Sequence, residues 1–283
     1  MRFAFAGCDR NLGVMDAFLA AGWEPIKVFS VPQVDTLSSI QALSALAAAR
    51  RLPIQLERLQ MHDLALLAEQ QCDALVIGSY NFLIPDWHHY LTYAVNFHPS
   101  PLPHGRGPYP LVNAILYGYR EWAVTCHRVD GSFDTGPVLG SETFPLNDCD
   151  THESLSLKIQ MAGQRLARRM AADLPAYWNA ATSQDGGDYW PLFSLRERTI
   201  DFAADAATLH RQLRAFGKLG CFARFGNQVI QIDAGYAWTE MHPEVPGMPV
   251  CHSGKTMVIT CSDGYVAITE WRTLMPPSPD GSA

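Results

Sequence analysis

The sequence predicts an α/β chain: an open, mostly parallel sheet with helices on both faces, followed by a small OB-like β-barrel. Three observations lead there. Short apolar runs alternate with helix-length amphipathic stretches over the first hundred or so residues, the pattern of βαβ units. Ala74–Gly78 reads ALVIG, with no polar position, as a strand covered on both faces requires. Beyond Asp201 one amphipathic helix precedes five short strand-like runs punctuated by turn residues.

In order, Arg2–Gly7 is an apolar first strand. Residues 11–21 place Leu12, Met15, Phe18 and Leu19 at helical spacing before the stop at Gly22. Residues 25–31 form a second strand, 38–50 a helix, 53–56 a short strand and 62–71 a helix. Strands over 74–78 and 93–97 follow, then two runs over 122–129 and 138–144 separated by an irregular loop, Asp130 to Gly136. Thr151 is placed to cap a long helix reaching about Trp178. The polar Ser183-Gln184-Asp185-Gly186-Gly187-Asp188 marks a connection. A helix over 205–216 carries Leu209, Leu213 and Phe216 on one face. Strands over 221–225, 228–237, 248–251, 257–261 and 265–271 are joined in part by Gly226-Asn227 and Ser262-Asp263-Gly264 turns. The organisation expected is a first domain over 1–182, a linker over 183–200, a barrel over 201–275 and a tail over 276–283.

Composition narrows the function. Of 283 residues, 48% are hydrophobic and 17% charged, enough apolar material for a core and too much for disorder. The net charge of −7 argues against a general nucleic-acid binder, which needs clustered Lys and Arg. No run has the apolar length of a membrane span, so no membrane partner is expected. The apolar stretch after Arg2 is too short for a signal peptide, and the seven scattered cysteines lack a C-x-x-C pair, so a cytoplasmic, reduced, metal-free chain is expected. Cys126, among apolar neighbours, reads as a small core residue. No Gly-rich phosphate loop or Walker pattern occurs.

The densest polar cluster is Asn96-Phe97-His98-Pro99-Ser100-Pro101-Leu102-Pro103-His104-Gly105-Arg106-Gly107-Pro108-Tyr109-Pro110. It starts where the strand at Ala94-Val95 runs out, and open parallel sheets bind ligands at such strand ends. Asn96 and His98, two apart, leave the same face of an extended chain. An amide that can steady an oxyanion beside an imidazole that can carry a proton suits chemistry at a carbonyl. The prolines stiffen the loop. A proline-rich turn with structural Asn and His hydrogen bonds is the competing reading.

"NFHPSPLPHGRG" resembles the signature of the folate-dependent formyltransferases, Asn-x-His followed by Ser-Leu-Leu-Pro and Arg-Gly. "FDTGPVL" is similar to that family's Asp-x-Gly segment, "GSYNFLIP" to its pterin-holding loop, and "LRERTIDF" with the barrel to the C-terminal domain of its tRNA-acting and lipid-A-sugar-acting branches. The resemblance implies a Rossmann-like formyltransferase fold. Two departures stand out. Pro101 replaces the first Leu of Ser-Leu-Leu-Pro, and residues 31–38 carry no positive charge where tRNA-acting members have a basic insertion.

The resemblance further implies 10-formyltetrahydrofolate as co-substrate and no metal. Its pterin would lie against Phe82, Leu83 and Ile84, with Asp130, Gly131, Ser132 and Phe133 closing over it and Ser100, Pro101, Leu102 and Pro103 lining the cleft. Asn96 would hold the formyl oxygen. His98 would take the amine's proton or stabilise the tetrahedral intermediate, and Asp134 would orient or charge His98 and, through water, help protonate N10. Asp134 as a mere loop cap, and Phe82 to Ile84 as ordinary core, are the competing readings. His127 is expected as a satisfied sheet residue, and His88, His89 and His104 as surface or structural.

Charge bears on the acceptor. Residues 195–283 carry eight Lys/Arg against nine Asp/Glu, and Arg211, Arg214 and Lys218 read as a solvated face. A small amine is therefore expected: an amino sugar nucleotide, an amino acid or an N-hydroxyamino acid, with Arg106, Tyr109 and Asn113 as candidate contacts. The alternatives kept open are transfer to methionyl-tRNA, with tRNA disfavoured by charge, a non-catalytic folate-binding module, and water as acceptor. The oligomeric state is left open.

Overall fold

The computed structural model describes residues 1–31 and 39–274. Residues 32–38, in the stretch without positive charge, and the tail lie outside the described residues. Elements in chain order are β1 (Arg2–Gly7), α1 (Leu12–Ala20), β2 (Glu24–Phe29), α2 (Gln41–Ala49), β3 (Ile54–Gln55), α3 (Met61–Glu69), β4 (Ala74–Gly78), β5 (Tyr93–His98), α4 (Pro110–Leu116), β6 (Glu121–Arg128), β7 (Val138–Pro145), α5 (His152–Ala172), α6 (Leu174–Asn179), α7 (Ala206–Phe216), β8 (Cys221–Phe225), β9 (Gln228–Thr239), β10 (Pro249–Ser253), β11 (Thr256–Thr260) and β12 (Gly264–Leu274).

Two compact units divide the chain. The first comprises Met1–Pro110, Tyr119–Asn147 and Leu155–Pro191. Its seven-stranded sheet has the order β3-β2-β1-β4-β5-β6-β7. The pairs among β1 to β5 are parallel, whereas β5–β6 and β6–β7 are antiparallel. Helices cover both faces, as alternate residues of β1 record. Ala4 and Ala6 share a buried cluster with Leu64 and Leu67 of α3, while Phe3 meets Phe18 of α1 at 5.7 Å on the other face. β4 is buried at all five positions, which explains its unbroken apolar run.

Two local differences from the sequence expectation have physical causes. The long helix ends at Ala172 and restarts at Leu174, because Pro175 cannot continue the hydrogen-bond ladder. Asp173 caps the restart, its Oδ1 accepting from Ala176 N at 3.1 Å. A short helix, α4, begins at Pro110, where the proline ring preorganises a first turn; in the sequence the prolines around it read as a stiff loop.

The second unit comprises Leu111–Gly118, Asp148–Ser154 and the chain from Leu192 onward. Its five strands form one antiparallel sheet in the order β10-β11-β12-β9-β8. α7 is capped by Asp205, whose Oδ1 accepts from Thr208 N at 2.6 Å.

Candidate active site

The parallel part of the sheet delivers β5 with Asn96 and His98 at its carboxyl end. Antiparallel β6 runs back beside it, with Asn96 opposite His127 and His98 opposite Thr125. Residues directly opposite across a strand pair present their side chains on one face, so His127 is delivered to Asn96 by register alone. A bulge between Cys126 and His127 in the β6–β7 pairing lies at the same point.

The loop after β6 then returns Asp134 to this face. Asp134 sits in the left-handed region at φ 60°, a conformation that Asp tolerates better than most residues. Its Oδ1 is 3.1 Å from His98 Nδ1 and accepts from Asn96 Nδ2 at 3.3 Å, while Oδ2 accepts from Gly107 N at 3.0 Å. His98, Asp134 and His127 are all buried. Burial works to raise the Asp134 carboxyl, but the charge of the His98 imidazole, the hydrogen bond from His98 and the Gly107 amide outweigh it and hold the group far below the usual carboxylate range.

The ring protonation follows from the partners. His98 Nε2 lies 2.9 Å from the Gly105 carbonyl oxygen, so it donates, and Nδ1 faces a carboxylate. Only the doubly protonated ring donates to both. His127 Nδ1 lies 2.7 Å from the Arg128 carbonyl oxygen and donates to it, which leaves Nε2 to accept from Asn96 Nδ2 at 3.1 Å. Both Asn96 amide hydrogens are thus engaged. The structure brings Asn96, His98 and Asp134 together as the sequence pattern suggests. His127 is a satisfied sheet residue, as expected, and it also meets Asn96; the Thr125/His127 alternation on β6 mirrors Asn96/His98 on β5.

The other expected site residues divide by what occupies their polar atoms. Ser100 is buried, its Oγ donating to the His104 carbonyl oxygen at 2.8 Å. Asp130 holds its own loop, Oδ1 accepting from Thr135 Oγ1 at 2.6 Å and Ser132 N at 3.2 Å. Gly131 and Ser132 are exposed, and so is Phe133 at 42%. Phe82 and Ile84 are half-buried against the apolar cluster, with Leu83 37% exposed between them. Pro101, Leu102 and Pro103 are half-buried, and the Leu102–Pro103 peptide is cis. Arg106 donates through Nε and Nη2 to Gln184 Oε1 at 3.1 and 2.8 Å. Tyr109 is half-buried, and Asn113 is buried on α4. Burial pushes the Cys126 thiol up, as for a core residue rather than a nucleophile. Among the described residues no group of three or more His, Cys, Asp or Glu is arranged to hold a metal ion, and no helix is long and apolar enough to cross a membrane.

Residues 39–170 match the family described as Formyl transferase, and residues 194–275 match Formyl transferase, C-terminal domain. A methionyl-tRNA formyltransferase of Rhizorhabdus wittichii is 30% identical over 285 residues, covering 95% of this chain and 89% of its own. The chain belongs to the formyl transferase family. A second methionyl-tRNA formyltransferase, from Hahella chejuensis, is 26% identical over 95% of this chain and 88% of its own. Solved structures share the fold. HypX from Aquifex aeolicus in complex with tetrahydrofolic acid gives a TM-score of 0.69 at 21% identity; the match covers 97% of this chain and 45% of HypX. The N-formyltransferase of Helicobacter canadensis, in complex with folinic acid and dTDP-3-aminofucose, gives 0.65 at 17% identity over 96% of this chain and 99% of its own.

Proposed function

We propose that this formyl transferase moves the formyl group of 10-formyltetrahydrofolate to the amine of a small acceptor: an amino sugar nucleotide, an amino acid or an N-hydroxyamino acid. The observation that carries the reading is the Asn96–His98–Asp134 cluster at the carboxyl end of β5, its His and Asp buried and its Asn half-buried, in a member of this family. The neutral amine attacks the formyl carbon. One Asn96 N–H turns from His127 or Asp134 to the developing oxyanion, a donor worth about 3–4 kcal/mol in comparable sites. His98, charged between Gly105 and Asp134, offsets that oxyanion. The proton lost by the amine is the one that N10 gains as its bond to the formyl carbon breaks. Phe82, Leu83 and Ile84 form an apolar bed for the pterin, and Asp130 to Phe133 close over it. Pro101, Leu102 and Pro103 line the cleft, and Ser100, wholly buried with its hydroxyl, N–H and carbonyl all hydrogen-bonded, supports them from behind. Tyr109 and Arg106 are the candidate acceptor contacts of this unit.

The acceptor class rests on charge. Several cations of the second unit are already committed: Arg198 to the Leu219 and Gly220 carbonyls, Arg214 to the Asp150 carbonyl and Arg272 to Asp233. Phosphate neutralisation by free Lys and Arg is what holds tRNA at physiological salt. The second reading, transfer to methionyl-tRNA, is favoured by the relatives that match nearly the whole chain, C-terminal domain included. Purified protein with 10-formyltetrahydrofolate is offered initiator methionyl-tRNA, a dTDP-linked amino sugar, and amino and N-hydroxyamino acids, and tetrahydrofolate release is followed. Rapid transfer to a small amine with little salt dependence is expected. Rapid transfer to the tRNA, falling steeply with salt, overturns the small-amine reading. Release with water alone means a hydrolase, and no release with any acceptor points to a folate-binding module.

A further inference from the structure

The stretch Ser183–Trp190 is not a free connection. Asp188 Oδ1 accepts from Gly105 N at 2.9 Å, the Asp188 carbonyl accepts from Arg106 N at 3.2 Å, and Trp190 N donates to the Arg106 carbonyl at 2.7 Å. Gly187 and Gly107 mark how close the two chains run. A Cβ at Gly187 would meet the Pro103 carbonyl oxygen at 2.2 Å, and one at Gly107 would meet that of Trp190 at 2.4 Å. This strap lies along the loop whose Gly105 carbonyl receives His98 and whose Gly107 amide holds Asp134.

Gln184 reaches further. Its Nε2 donates to the carbonyl oxygens of Asp134 at 3.0 Å and Gly136 at 2.7 Å, and its Oε1 accepts from Arg106 Nε and Nη2. An amide has two hydrogens and two lone pairs, and all four are used. One side chain thereby ties the loop after β5 to the loop after β6, holding the backbone of Asp134 while Gly107 holds its carboxylate. Asp134 sits at φ 60°, a conformation that persists where surrounding structure imposes it.

We propose that Gln184 is a positioning residue for formyl transfer, fixing Asp134 against His98 by clamping the Asp134–Gly136 backbone to Arg106, so that the strap is part of the catalytic apparatus. The proposal rests on the reading of Asn96, His98 and Asp134 given above. It requires an amide specifically. A carboxylate at 184 would keep the Arg106 partner, and strengthen it, but would set oxygen against the Asp134 and Gly136 carbonyls.

The test is Gln184→Glu, with Gln184→Met as an uncharged second variant, in the full chain. Folding is checked by Tm and by affinity for a folate analogue, and the rate is tetrahydrofolate release from 10-formyltetrahydrofolate with the most active acceptor of the comparison above. Mispositioning of about 1 Å costs up to roughly 100-fold, so kcat is expected to fall about 10- to 100-fold with KM for the folate nearly unchanged. In an Asp134→Asn background the same substitution is expected to cost almost nothing, since the residue acts through Asp134. In the unliganded protein, the downfield His98 Nδ1–H proton resonance, assigned by its loss in His98→Ala, is expected to move upfield in both Gln184 variants. A near-native kcat with an unmoved resonance, or an equal loss in the Asp134→Asn background, overturns the proposal. If His98→Ala and Asp134→Asn themselves keep wild-type rates, the catalytic reading is what fails, and the resonance alone still decides whether Gln184 positions Asp134.

Discussion

Replacing Asp134 by Asn separates charge from shape. The carboxylate receives three donors: His98 Nδ1 and Asn96 Nδ2 on one oxygen, Gly107 N on the other. An amide offers one oxygen and one NH2, so it cannot satisfy both sides. With its oxygen on the His98 side, the buried Gly107 N–H faces an NH2 group, leaving an unpaired donor at a cost of about 1–3 kcal/mol. With its oxygen on Gly107, the NH2 faces His98, which sheds its Nδ1 proton, accepts there, and keeps its bond to the Gly105 carbonyl. The second arrangement also turns an Asn96 N–H against that NH2, and it leaves a neutral imidazole where the proposed mechanism uses a charged one. Hydrogen bonds to charged groups contribute about 1.5–3 kcal/mol. If all of that is lost from the transition state, kcat falls roughly 10- to 150-fold, at 1.4 kcal/mol per tenfold. The assay is single-turnover release of tetrahydrofolate across neutral pH, with folding verified by Tm. A folded Asn variant within about threefold of wild type refutes the pairing as a catalytic device.

The same substitution carries a pH signature. The folded Asp134 carboxyl titrates below its unfolded value, about 3.9. A depressed carboxyl contributes stability that is fully present above the unfolded value and is lost as pH falls below it toward the folded one. Asn has no such contribution, so the Tm difference between wild type and Asp134→Asn is expected to narrow below about pH 4. A difference that is constant through that range contradicts the assignment of a depressed carboxyl.

Two further outcomes follow from the geometry. His98→Ala and Asn96→Ala should fold and lose turnover, Asn96→Ala by about 100- to 1,000-fold, as for loss of an oxyanion donor; folded variants with near-native rates would remove both from the mechanism. Gly107→Ala should lower both stability and rate, because the position has φ +107° and a Cβ there would lie 2.4 Å from the Trp190 carbonyl oxygen. Backbone strain alone costs about 1–3 kcal/mol, and an unchanged Tm would contradict the close approach of strap and loop.

What the sequence made legible was what local pattern encodes. β1 and β4 are short apolar runs, and both fall where periodicity puts them. Asn96 and His98 were found because two residues on an extended chain share a face and because a strand ends there. α4 was hidden by the prolines around its start, although Pro110 itself is compatible with a first helical turn. His127 and Gln184 were hidden for a different reason. Their roles are set by pairing and packing between distant segments: His127 is 31 residues from Asn96, and Gln184 is 50 from Asp134 and 78 from Arg106. No window over the sequence contains such a pair.

Arg106 shows how that distance changes a functional argument. On sequence alone, an arginine eight residues past a candidate catalytic histidine invites assignment to the acceptor. In the fold, two of its donors serve Gln184, and through Gln184 they serve the backbone of Asp134. A guanidinium carries five N–H groups, and Gln184 takes only the one on Nε and one on Nη2, so the end-on edge formed by Nη1 and Nη2 is not spent on the clamp. An anionic group can meet that edge bidentately while the clamp holds, so one arginine can serve both an acceptor and the backbone of Asp134. Arg106 therefore does not by itself separate a small amine from a phosphate-bearing acceptor, and the proposed choice between them rests on the charge of the second unit.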